Sequence, residues 1–118
     1  MSDKLKDLKI KTGVAKRTWK EHLSYKKELE NEKKRVAKMT TEGRDEYDVR
    51  KANEVLKETE SMISHTKSSF LKAWKEFQDV YNAATNDETL KQSKEYEEGQ
   101  KVYEDLNKAI EEERAAQA

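Results

Sequence analysis

The chain has 118 residues, enough for one domain, with 42% charged against 33% hydrophobic residues, 3 Gly and 0 Pro; this balance belongs to long helices and coiled coils. Its 25 basic and 25 acidic residues cancel, which excludes a global electrostatic pull toward nucleic acid or an anionic membrane. With 0 Cys there is no disulfide and no thiolate metal site, and no stretch approaches the roughly 20 apolar residues that span a bilayer, so a cytoplasmic chain without a signal segment is expected.

The first expected helix covers about residues 3–40. Leu8, Ala15, His22, Leu29 and Val36 recur every seven residues, flanked on the same face by Leu5, Trp19, Tyr25 and Met39. Ser2 stands before its start. Thr40-Thr41-Glu42-Gly43 ends it, with Gly43 free to take a left-handed conformation. Asp45 can cap a second helix, with Asp48 three residues on to complete a capping box. That helix, about 46–83, carries Val49, Leu56, Ile63, Phe70, Phe77 and Ala84 at seven-residue intervals, with Ala52, Thr59, Thr66, Ala73 and Val80 between them. The phase survives across Ser64-His65-Thr66, which predicts one continuous helix despite several hydroxyl and β-branched residues.

Thr85-Asn86-Asp87-Glu88 repeats the capping pattern and opens a third helix, about 86–112, with Tyr96, Val102, Tyr103, Leu106, Ala109 and Ile110 on its apolar side. Gly99 inside it costs about 1 kcal/mol relative to alanine, and the charged tail from Glu111 to Ala118 is expected to fray. Short connections make neighbouring helices antiparallel. The fold class predicted is therefore all-α: a single domain, 1–118, forming an elongated antiparallel three-helix bundle, coiled-coil-like and up-down-up.

Catalysis has no footing in this pattern. There is no glycine-rich phosphate loop, and His22 and His65 stand on different helices without metal-ligand spacing. In phase with the core stripe, His22 reads as a packed, hydrogen-bonded histidine. Carboxylates such as Glu28, Glu30 and Glu32 belong to a solvated face, where Glu30 and Lys34 form an ordinary i, i+4 pair. No catalytic residue, metal, cofactor or small-molecule substrate is expected, and the chain does not read as an enzyme.

The outward face of the first helix carries Lys6, Arg17, Lys20, Lys27, Lys34 and Lys38, a basic stripe in a neutral protein. Such a stripe can be a solvated face, or can meet an acidic protein or a phosphate backbone; no nucleic-acid reading motif accompanies it. Trp19, Trp74 and Tyr81 flank their stripes and are core-edge residues first, partner contacts second. From the residues alone, the chain is a helical binding module.

Three segments carry a resemblance. Leu8 to Glu21, LKIKTGVAKRTWKE, with Ile10 to Val14 followed by Lys16-Arg17, resembles the opening helix of the tubulin-binding cofactor A family. Tyr47-Asp48-Val49-Arg50-Lys51, Glu54-Val55-Leu56 and Glu60 to Ile63 are similar to that family's second helix, and Glu95-Tyr96-Glu97-Glu98 to its third. The chain departs from the family pattern at Ser64, where a proline is usual, and at Gly99, where an alanine is. Without the proline ring a straight second helix becomes possible. The resemblance implies a cytoplasmic, cytoskeleton-associated chaperone that takes up β-tubulin folding intermediates from the chaperonin and holds them for assembly of the αβ heterodimer, with no nucleic acid or membrane partner. On that reading the β-tubulin-binding residues are Lys9, Lys11, Lys16, Arg17, Tyr47, Asp48 and Lys51, with Lys20, Lys27, Trp19 and Trp74 as secondary surface candidates. Asp48 has a rival role as a cap. Monomer and homodimer both stay open. A structural coiled-coil adaptor that dimerises through its apolar stripes is the alternative.

Overall fold

The computed structural model describes residues 2–117 and holds four helices among them: α1 (Asp3–Thr41), α2 (Glu46–Ala84), α3 (Glu88–Lys91) and α4 (Lys94–Gln117). The Ser2 hydroxyl accepts the Leu5 N–H at 3.2 Å and starts α1. At its other end the Gly43 N–H donates to the Thr40 carbonyl and the Arg44 N–H to the Met39 carbonyl, at 3.1 and 3.0 Å, with Gly43 at φ 68. These are the paired bonds of a Schellman motif, and its left-handed position is filled by the residue without a Cβ. Asp45 follows and accepts the Tyr47 N–H at 3.2 Å. The reciprocal bond expected of Asp48 is absent among the described residues, so Asp48 is an exposed first-turn acid rather than half of a capping box.

Cross-helix pairs fix the directions. Lys11 meets Glu76, His22 meets Thr66 and Glu32 meets Thr59, so α2 returns antiparallel to α1. α4 runs the same way as α1: Lys16 meets Glu98, and Lys26 further along meets Glu113. α2 crosses Ser64 without interruption. The resulting rod measures 65 × 27 × 19 Å.

The expected third helix is interrupted, and the interruption has a chemical cause. Asp87, not Thr85, caps α3, accepting the Thr89 and Leu90 N–H groups at 3.0 and 3.1 Å. One turn later the Ser93 hydroxyl donates to the Leu90 carbonyl at 2.6 Å and accepts the Tyr96 N–H at 3.1 Å. A single side chain thus closes α3 and opens α4. The tail differs too: α4 stays helical to Gln117, and in its last turns the Glu113 carboxylate lies 3.2 Å from Lys26 and 3.6 Å from His22.

The core gathers where α4 lies on the α1–α2 hairpin. Leu8, Ala15, Trp19, Phe70, Phe77, Tyr81, Ala84, Leu90, Val102 and Leu106 form one buried cluster. Thr12, seven residues from both Leu5 and Trp19, is buried with them, its hydroxyl donating to the Leu8 carbonyl at 2.6 Å. Past the end of α4, Val36, Val49 and Leu56 are only half-buried, since two helices cannot enclose a stripe that a third would cover; Leu29 and Ile63, level with its last turns, are half-buried too.

Gly99 is buried against this core. A Cβ placed there would meet Thr12 Oγ1 at 3.5 Å, Leu8 Cδ1 at 3.6 Å and Tyr81 Cδ1 at 3.8 Å, ordinary packing distances. Gly99→Ala is therefore expected to stabilise the fold by about 1 kcal/mol through helix propensity, with the buried methyl adding to it. Urea unfolding should show a higher midpoint with an unchanged slope; a lower midpoint would mean that the α1–α4 spacing cannot accept a methyl group.

Candidate functional site

No group of three or more His, Cys, Asp or Glu residues able to hold a metal ion occurs among the described residues. Among the described residues no helix is long and apolar enough to cross a membrane. His22 is buried, with its Nδ1 3.3 Å from the Thr66 hydroxyl. That hydroxyl donates to the Ile63 carbonyl at 3.1 Å, so it accepts from the ring. His22 thus has a packing role, and His65 is exposed.

Between Leu8 and Lys20 there are five cationic side chains and no carboxylate. The structure spreads them around the first half of α1. Lys9, Arg17 and Lys20 are exposed and have no ion-pair partner among the described residues. Lys11 leans to α2, 3.5 Å from Glu76, and Lys16 to α4, 3.7 Å from Glu98. Both are surface pairs of small energetic weight, free to exchange partners. Lys27 is exposed two turns beyond Lys20.

Tyr47, Asp48 and Lys51 lie at the other end of the hairpin, roughly 35–40 Å from Arg17 at 1.5 Å per helical residue. Tyr47 is 53% exposed, with the Arg50 and Lys51 cations each 5.5 Å from its ring centre. Lys51 also pairs with Glu54 at 3.4 Å. The candidate residues therefore form two patches, not one site, and Arg50 joins the second.

The two aromatic secondary candidates sit in the core and at its edge. Trp19 is buried, 4.8 Å from the Phe70 ring, and Trp74 is half-buried between Phe70 and Tyr103, at 6.0 and 5.5 Å. Trp19 spends its area on the inter-helix core, while Trp74 keeps part of its ring at the core edge. Sequence reasoning also passed over Ile10. It is 59% exposed on the same face as Arg17, a large apolar side chain that no element of the fold covers.

The helical rod with its cationic first helix can be set beside known proteins. A sequence model of the family described as Tubulin binding cofactor A matches residues 3–103. The chain belongs to that family. It is 32% identical over 99 residues to the Homo sapiens protein named Tubulin-specific chaperone A, covering 84% of this chain and 89% of that protein. The crystal structure of tubulin folding cofactor A from Arabidopsis thaliana superposes with a TM-score of 0.77 at 32% identity, over 89% of this chain and 96% of that one. The structure of human tubulin chaperone cofactor a gives 0.72 at 30% identity, over 88% and 98%. Both candidate patches fall within the cofactor A match. The last turns of α4, which carry Glu113, lie beyond it.

Proposed function

We propose that this protein is a tubulin-folding chaperone that captures β-tubulin folding intermediates released from the chaperonin and holds them for assembly of the αβ heterodimer. It works by binding alone, without catalysis or a cofactor, in the cytoplasm. Membership of the tubulin cofactor A family carries this reading. The unpaired cations of α1 support it physically, because a partner rich in carboxylates gains approach rate and orientation from such a surface. In architectural terms α3 and α4 count as one broken third helix of an up-down-up bundle. The monomer is the working unit, and Lys9, Lys11, Lys16, Arg17, Tyr47, Asp48 and Lys51 contact the client, helped by Lys20 and Lys27. Because the two patches stand far apart, the client spans much of the rod.

Purified protein mixed with chaperonin-released β-tubulin, and separately with α-tubulin, should give a discrete complex with β-tubulin on size exclusion. Reversing charge with Lys16→Glu and Arg17→Glu together is expected to weaken it by roughly two orders of magnitude at low salt, and less as salt screens the wild type. A complex with α-tubulin alone, or a double variant that binds β-tubulin as tightly as wild type, would sink the assignment of client or of site respectively. A second reading, a scaffold that dimerises through its apolar stripes, is favoured by the half-buried Leu29, Val36, Leu56 and Ile63. Solution mass separates the two: a stable dimer without client supports the scaffold.

A further inference from the structure

Gly13 sits in the middle of a regular helix, where glycine costs about as much as any residue but proline. Nothing in the fold accounts for it. Its φ is not left-handed, and a Cβ built on it meets nothing within 4 Å, so neither a turn nor a close internal contact requires the missing side chain. This contrasts with Gly99, which packs against Thr12 and Leu8.

What surrounds Gly13 is informative. On a helix surface the neighbours of a position lie three and four residues away on either side. For Gly13 these are Lys9, Ile10, Lys16 and Arg17, all exposed. The glycine is thus the floor of a shallow socket walled by three cations and one isoleucine. Among the described residues Lys9 and Arg17 have no ion-pair partner, and the one pair made by Lys16, to Glu98, is long at 3.7 Å. A four-residue hole of this kind is what a knob from a facing helix fills, and a glycine floor lets the two backbones approach closely.

We propose that this socket is where an acidic helix of the captured tubulin crosses α1, seating one bulky apolar side chain over Gly13 against Ile10 while flanking carboxylates pair with Lys9, Lys16 and Arg17. The proposal rests on the chaperone reading above and specifies the geometry of that contact. Charge sets the partner's sign, and the exposed isoleucine beside an open glycine sets its shape; a surface serving only solubility needs neither.

Binding of purified β-tubulin is measured for wild type, Gly13→Leu and, as a control on the outward face of α2, Ser68→Leu. Melting temperature is recorded for each. Gly13→Leu should melt no lower than wild type, since leucine is a better helix former and the site is open. It should nevertheless bind roughly tenfold more weakly, and Ser68→Leu should bind as wild type. A photo-reactive side chain at position 13 should crosslink to a β-tubulin helix rich in Asp and Glu. A well-folded Gly13→Leu that binds undiminished, or crosslinks confined to a basic or non-helical segment, would overturn the socket while leaving the chaperone reading intact. Wild type that captures no β-tubulin would overturn the chaperone reading, and the socket with it.

Discussion

Phe77→Ala is expected to lower the unfolding free energy by about 3–5 kcal/mol, the range for removing a buried phenylalanine ring. Phe77 is fully buried, and its ring lies 5.8 Å from Trp74, 5.9 Å from Tyr81 and 6.2 Å from Tyr103. It therefore joins α2 to α4 as well as filling the hairpin. The neighbours are rings on long helices that cannot close inward without breaking their own stacks, so the cavity persists and the cost falls at the upper end. Small domains hold about 5–15 kcal/mol in total, so a loss of this size consumes much of the margin. Urea titration followed by helical circular dichroism measures it. A loss under about 1 kcal/mol would show that the aromatic cluster is not the main fastening of α4.

The second large effect is alkaline. Tyr81 is buried, stacked on Tyr103 at 4.6 Å and on Tyr96 at 5.5 Å. Burial first, and then the neighbouring Tyr96 hydroxyl, push its phenol up to about 12 from the ordinary 10.0; Glu104 and Tyr103 act in the same sense. Below pH 10 the phenol is protonated in both folded and unfolded chains and contributes no pH dependence. Between about pH 10 and 12 the unfolded chain gives up this proton and the folded one keeps it, so stability falls as pH rises through that window. At 1.36 kcal/mol per unit the loss approaches about 3 kcal/mol. Tyr81→Phe removes the titrating group, and its stability should decline less over the same range. Denaturant unfolding of both proteins across the window measures the difference. Parallel curves would mean that Tyr81 ionises like an exposed tyrosine.

Helix phase was legible in the sequence because a residue's burial on a long helix depends on which way it points. Leu8, Ala15, His22, Phe70 and Phe77 were placed inward by a seven-residue interval and are buried. The same interval could not reveal how many helices cover a stripe. Val36 and Leu56 repeat as faithfully as Leu8, yet lie past the end of α4 and stay half-buried. Ser93 resembles any polar residue of a helix, and only the geometry shows its hydroxyl serving two helix ends. The last turns of α4 read as a frayed tail because local propensity contains no term for contacts with α1, where Glu113 meets Lys26, some 87 residues earlier in the chain. For the candidate surface, charge could be read from composition, but pairing could not. Lys11 and Lys16 face carboxylates that the fold brings to them, while Lys9 and Arg17 pair with none among the described residues. The client is identified by similarity to relatives, since no arrangement of lysines names tubulin.

The placement of the core also bears on how the chain finds its fold. The tight connection at Gly43, which would let α1 and α2 zip together locally, sits at the end of the rod where only two helices meet and burial is partial. The densest cluster lies at the opposite end, where Leu8 joins Phe77 and Tyr81 across about 70 intervening residues. Pairing that spreads from the turn gains little until it reaches this far end. The hairpin must nearly finish before it is secured, and α4 must then close over it, which favours an all-or-none transition over stepwise accumulation of helices.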